Sequence, residues 1–147
     1  MSSLTFSHRH RVSYAECTVG NHVYYARYLD ILEETRGELF RAAGLPLLQL
    51  QSEGTSFPVV ECRLQYRQAA RYDELLRIDA HISELRAARL TIVYRVIKEP
   101  DQPVFDATIC YVCASVEGKP KRLPPHLTGA LRRFFAEDAL QTGAPEN

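Results

Sequence analysis

Between Glu16 and Arg36 the chain reads ECTVGNHVYYARYLDILEETR, a polar, turn-like segment that runs into a helical pattern. Thr18, Gly20, Asn21 and His22 place a hydroxyl, a flexible joint, an amide and an imidazole just before a helix predicted over about residues 23–43. The start of a helix carries unpaired N–H groups and a partial positive charge, which together can hold an oxyanion. His22 could act as a base, since an imidazole titrates near about 6.5. Asn21 could orient a water molecule or, more simply, cap the helix. Cys17 adjoins Thr18, but nothing nearby in the sequence lowers a thiol pKa, so it is not favoured as a nucleophile.

Further along, at about 100° per residue, Tyr25, Tyr28, Leu29, Leu32, Leu39, Phe40 and Ala43 form one apolar stripe. Asp30, Glu34, Glu38 and Arg41 fall opposite. Arg36 projects near the middle of the stripe, with Glu33 at its edge. A buried guanidinium is costly unless paired. Two roles follow. Arg36 either snorkels past the core and pairs with Glu33 or another carboxylate, or it faces a substrate cavity. Glu33 is correspondingly a partner of Arg36 or an alternative base.

The elements that must position these groups are legible from patterning. Strand-like runs are TFSHRHRVSY, FPVVECRLQYRQ, LLRIDAHISEL, RLTIVYRVIKE and VFDATICYVCAS. LPLLQLQSEGTS reads as a connecting segment and PHLTGALRRFFAEDAL as a short final helix. The stretch from about residue 140 to 147 reads as a frayed tail. The order is strand, long helix, then four strands in meander order with antiparallel pairing. This predicts a single α+β domain over residues 1–147, a long helix wrapped by a curved antiparallel sheet of about five strands. LTIVYRVI would be a liability as an unpaired edge, which points to a homo-oligomer.

Composition sets the outer bounds. The 147 residues fit one core, and 18 basic residues balance 18 acidic ones, so no basic excess suits nucleic acid or an anionic membrane. No run approaches the about 20 apolar residues of a bilayer span, and the first residues lack a signal-peptide pattern, so a cytoplasmic location is expected. The four cysteines then read as free thiols. Cys110 and Cys113 lie in a strand-like run, where a separation of three puts side chains on opposite faces. His8 and His10 share a strand face but have no evident third ligand, so no metal is expected.

The segment YAECTVGNHVYYARYLDILEETR resembles the helix-leading motif of the YbgC/4-hydroxybenzoyl-CoA thioesterase group of hotdog-fold proteins. That motif runs approximately Y-x-E-x-D-x-x-G-x-V-Y-x-x-x-Y-L, then E-x-x-R. Tyr14, Glu16, Val23, Tyr24, Tyr28, Leu29, Glu33 and Arg36 match without a gap. FPVVECRLQYRQAARYDELLRIDAHISEL and EGKPKRLPPHL resemble later strands and the closing turn. Two positions depart. Thr18 stands where the family has its catalytic aspartate, and the glycine is shifted, with Asn21 in its column. The GNHVYY stretch and Arg36 are similar to the enediyne-polyketide thioesterase branch, which lacks the acidic residue.

The resemblance implies a hotdog fold and an acyl-thioester hydrolase acting on acyl-CoA or carrier-protein thioesters. The alternative is a hotdog protein that binds or senses such thioesters without hydrolysing them, which Thr18 favours. It also implies the backbone N–H of Tyr25 as oxyanion donor, and Arg36 orienting the carbonyl or water. Dimers that pair their sheets edge to edge, assembled into a tetramer, with sites at the boundary between paired subunits, are implied as well. Coenzyme A would enter as part of the substrate, with no separate cofactor. Arg67, Arg71, Lys119, Lys121 and Arg122 are candidate phosphate contacts; as residues alone each reads first as part of a solvated basic turn.

Overall fold

The computed structural model describes residues 5–135. In chain order its elements are β1 (Phe6–Arg11), a 3-10 turn (Tyr14–Glu16), β2 (Cys17–Thr18), β3 (His22–Val23), α1 (Arg27–Ala42) and α2 (Leu47–Ser52). There follow β4 (Val59–Tyr66), β5 (Leu75–Arg86), β6 (Arg89–Lys98), β7 (Gln102–Val112), α3 (Pro125–Leu131) and a last 3-10 turn (Arg132–Phe134). The α+β architecture is the expected one: a long helix against a five-stranded antiparallel sheet, with a short C-terminal helix. The expected tail and the end of the final helix lie outside the described residues.

Alternation builds the packing. Along β5 every second residue from Leu76 to Ile82 is buried, and the partners on β6 and β7 follow suit. On α1, Tyr28, Ile31, Leu32, Thr35, Leu39 and Phe40 are buried and join Ile78, Ile92, Tyr94 and Tyr111 of the sheet in one core. Each such apolar side chain contributes about 1.5–3 kcal/mol when fully buried. Thr35 was not on the expected stripe. It is tolerated there because its hydroxyl donates to the Ile31 carbonyl at 2.9 Å, which satisfies it inside the core.

Four expectations are corrected. First, α1 begins at Arg27, not at residue 23. The N–H of Val23 is bonded to the Ala70 carbonyl and that of Tyr24 to the Glu16 carbonyl, so these residues stay extended. Second, part of the segment read as a connection is the short helix α2, on which Leu50 is buried. Third, the four later strands are not a simple meander, because the spatial order is β1-β5-β6-β7-β4. Fourth, LTIVYRVI is therefore no edge. It lies within β6, the central strand, paired on both sides.

The edge beside β7 is β4. It pairs with β7 on one side only, and every residue of it is exposed. Val59, Val60, Leu64 and Tyr66 show between 36% and 54% of their surface. Phe105, Ala107 and Tyr111, paired with Tyr66, Leu64 and Val59, face the core, so Tyr66, Leu64 and Val59 lie on the helix side of the sheet. The helix leaves that margin uncovered.

Candidate active site

The loop ahead of α1 is a small hairpin. Cys17 pairs with Val23 and Thr18 with His22, and the Asn21 N–H donates to the Thr18 carbonyl at 3.0 Å. The turn needs positive φ at Gly20 (93°) and Asn21 (60°). A Cβ on Gly20 would also come within 3.3 Å of the His22 ring, so glycine lets the imidazole lie over the turn. Asn21 thus shapes the hairpin. The expected helix cap is not made: the cap residue of α1 is Ala26, with no side-chain cap bond.

His22 Nδ1 lies 3.3 Å from the Val23 carbonyl oxygen. A carbonyl only accepts, so Nδ1 carries the proton in a neutral ring and Nε2 keeps its lone pair. The Tyr25 N–H, in the turn that leads into α1, has no backbone partner among the described residues. The Tyr25 carbonyl accepts from the Tyr66 hydroxyl at 2.9 Å, which ties this turn to the end of β4.

Thr18, His22 and Tyr25 line a cavity of about 490 Å³, together with Tyr24, Tyr28, Tyr66, Arg67, Gln68 and Ala69. Its floor is aromatic. Tyr28 stacks on Phe105 at 4.6 Å, and Tyr66 meets Phe105 edge-on at 4.8 Å. The Tyr28 hydroxyl accepts from the Ala70 N–H at 3.3 Å; burial, only partly offset by that bond, raises its pKa. Tyr66, Gln68 and Ala69 were missed as site residues. The signal for Tyr66 was its place on the inner face of β4, which becomes informative once β4 is known to pair with β7.

Arg36 lies elsewhere. It lines a second cavity of about 250 Å³ with Leu47, Gln51, Thr55, Ser56, Phe57 and Val116. One guanidinium nitrogen donates to Glu33 at 2.8 Å and the other to the Phe57 carbonyl at 3.3 Å. The group sits over the Tyr111 ring, 4.6 Å from its centroid. Nε is buried without a hydrogen-bond partner among the described residues. Beneath lies a hydrogen-bonded phenol pair, Tyr94 and Tyr111, 2.6 Å apart. Burial pushes Tyr111 up to about 12, against the opposing pull of the Tyr94 hydrogen bond and of Arg36; Tyr94 is also raised by burial, so both stay neutral. Tyr25 and Arg36, expected in one cavity, thus line different cavities within a single chain, Tyr25 in the turn ahead of α1 and Arg36 in its second half. Glu33 follows Arg36.

The basic candidates divide the same way. Arg67 lines the larger cavity and is held by Asp106 at 2.7 Å. Arg71 donates to the Gly20 carbonyl at 3.0 Å, bracing the hairpin. Lys121 donates to the Gly54 carbonyl at 3.1 Å, beside the Arg36 cavity, and Lys119 and Arg122 are its exposed neighbours. Cys17 is raised by burial and then by the Glu16 charge, which keeps it a thiol near neutrality. Cys110 and Cys113 are free and buried. Among the described residues no helix is long and apolar enough to cross a membrane.

Residues 12–131 match the family model described as Thioesterase-like superfamily. The acyl-CoA thioester hydrolase YbgC of Escherichia coli O6:H1 is 26% identical over 134 residues, covering 90% of this chain and 100% of that protein. A solved structure described as a probable thioesterase from Bartonella henselae is 30% identical with a TM-score of 0.79, covering 82% of this chain and 100% of its own. The dynemicin thioesterase superposes with a TM-score of 0.81 at 19% identity, over 90% of this chain and 98% of that one, a likeness of fold alone. With a family model spanning most of its length and relatives that align end to end, the chain belongs to the thioesterase-like superfamily.

Proposed function

We propose that this protein hydrolyses acyl-CoA thioesters to a carboxylic acid and coenzyme A. The observation that carries the reading, beside the family, is the aromatic cavity at the start of α1 with an unpaired Tyr25 N–H on its wall. The acyl group lies against Tyr24, Tyr28 and Tyr66. The carbonyl oxygen points to the Tyr25 N–H, where a good donor contributes about 3 kcal/mol in the transition state. A water held near Thr18 and Asn21 gives its proton to His22 Nε2 and attacks the carbonyl carbon. The C–S bond breaks, and the imidazolium returns the proton to the departing sulfur. No cofactor is required, since coenzyme A belongs to the substrate.

The site is completed by a second copy. Among the described residues β4 offers an unpaired eight-residue edge, about 26 Å long at the usual strand rise, with Val59, Leu64 and Tyr66 on its helix side. Two such edges pair about a two-fold axis into one continuous antiparallel sheet. Antiparallel pairing sets Tyr66, at the cavity end of β4, opposite the partner's Val59, beside the partner's Arg36. The two cavities then face one another, and Arg36 orients the thioester across the interface. Lys119, Lys121 and Arg122 of the partner subunit flank the same seam and, with Arg67 and Arg71, are suited to the nucleotide phosphates. A dimer of dimers and a cytoplasmic location complete the reading. The free cysteines accord with a reducing compartment.

One feature favours a second reading. Thr18 is no carboxylate, and a protein that binds the thioester without cleaving it would look alike here. Thiol release from a panel of acyl-CoA and acyl-carrier-protein substrates separates the two. Hydrolysis of at least one supports the enzyme, whereas tight binding with every thioester left intact supports the binding protein.

A further inference from the structure

Outside both cavities, a chain of titratable side chains joins β1, α1 and the 3-10 turn ahead of the hairpin. His8 Nε2 lies 2.6 Å from Glu34 Oε2, and His10 Nδ1 lies 3.1 Å from the same oxygen. The other ring nitrogen of His10, Nε2, is 2.9 Å from both carboxylate oxygens of Glu16. Glu16 in turn accepts the Ser13 N–H at 2.8 Å through its side chain, and the Tyr24 N–H at 2.9 Å through its carbonyl. It stands immediately before Cys17, and Tyr24 stands immediately after Val23. A single residue therefore closes the hairpin at both ends, and His10 holds that residue.

Carboxylate oxygens only accept. Both nitrogens of His10 face carboxylates, so both must donate, which requires the imidazolium. A neutral ring would turn one lone pair toward a carboxylate oxygen and break one side of the clamp. Among the described residues, the titratable groups around His10 are His8 beside it on β1, Glu34 from α1 and Glu16 from the turn. Its partner on β5, Leu76, carries none.

We infer that His10, as an imidazolium between Glu16 and Glu34, is a positioning residue that holds the Thr18–His22 hairpin in its working geometry. Turnover therefore falls when His10 loses its proton. The inference rests on the hydrolase reading above. Burial alone would lower the His10 pKa, but the hydrogen bonds and charges of Glu16 and then Glu34 outweigh it and raise it above 6.5. A raised histidine pKa means the clamp is fully made below the ordinary value and is lost as pH rises through the folded one. Glu34 is shifted the opposite way. Burial would raise it, and the His8 and His10 hydrogen bonds and charges lower it below 4.5, so its share is lost only as pH falls through that depressed value. His10 thereby sets an alkaline limb on turnover.

The test uses the full-length chain with two readouts. In ligand-free protein, the ring nitrogens of His10 and the exchange protection of the Tyr24 amide are followed against pH by NMR. Protection of Tyr24, corrected for intrinsic exchange, should fall along the His10 titration curve. Turnover of whichever thioester is cleaved should fall about tenfold or more over the same range, the scale of a displaced catalytic loop. His10→Gln offers a donor toward Glu16 without titrating, so its alkaline limb should vanish. Tyr24 protection that ignores the His10 titration overturns the inference, as does an alkaline limb that persists in a folded His10→Gln. If Tyr24 follows His10 but no thioester is cleaved, the clamp stands and the hydrolase reading fails.

Discussion

Replacing Arg36 by methionine removes the charge and keeps much of the volume, and the contacts of Arg36 set the expected cost. The side chain is 11% exposed. Losing the guanidinium over Tyr111 costs about 0.5–2 kcal/mol. Leaving the Phe57 carbonyl without its donor costs about 1–3 kcal/mol. The Glu33 pair adds little, about 0–1 kcal/mol, because Glu33 is half exposed. Against these stands the relief of a buried Nε that has no hydrogen-bond partner among the described residues, since an apolar side chain often replaces a buried ion without net loss. The net is about 1–3 kcal/mol, a fall in Tm of about 3–10 °C for a chain of this size. If Arg36 orients the thioester, kcat/KM should fall about 100-fold, or about 2.7 kcal/mol, in protein that is still folded at the assay temperature. Steady-state turnover and thermal unfolding are measured on the same samples. Full activity in folded Arg36→Met refutes the catalytic role, and activity lost only in step with unfolding reduces Arg36 to a structural partner of Glu33. Mixing subunits then tests which chain it serves. Arg36→Met co-refolded with a cavity-blocked Thr18→Trp should regain about a quarter of wild-type activity through hybrid dimers with one intact site.

Two further changes probe the cavity and the edge. Thr18→Asp places a carboxylate opposite His22 in the hairpin register. It should raise kcat/KM about tenfold or more by general-base assistance, read by thiol release; no gain would mean the cavity works without a carboxylate. Leu64→Lys puts like charges on both copies of the β4 edge. Sedimentation should show a monomer at micromolar concentration, with activity lost alongside, whereas an unchanged oligomer would remove the edge-pairing scheme.

What could be read without coordinates was set by local pattern. β5 alternates from Leu76 to Ile82, and β6 and β7 are rich in β-branched and aromatic residues between turn signals, so their positions were legible to within a few residues. The start of α1 was not. Val23 and Tyr24 directly precede the helical stripe, yet the N–H of Val23 is claimed by Ala70, 47 residues on, and that of Tyr24 by Glu16. Strand order escaped for a related reason. Nothing local in VVECRLQY says that it pairs with β7 and not with β5, so the free edge was assigned to β6. Arg36 was visible as an anomaly on an apolar stripe, and its pairing with Glu33 followed from a spacing of three. Its seat in a different cavity from Tyr25 depends on the helix between them, for Arg36 lies nine positions past Arg27, a rise of about 14 Å. His10 and Glu34 were noted separately, as a strand-face residue and a solvent-side residue. Only the packing of β1 on α1 shows them to be one cluster.

The most direct measurement is the fate of water during turnover. The protein is incubated with an acyl-CoA in water enriched in oxygen-18, and the free thiol and the acid are quantified together by mass spectrometry. Hydrolysis at the α1 cavity predicts thiol and acid in equal amounts, with a single labelled oxygen in each acid molecule and loss of both products in Arg36→Met. Acyl-CoA that binds and is recovered intact, with no labelled acid above the uncatalysed background for any substrate, would contradict the account.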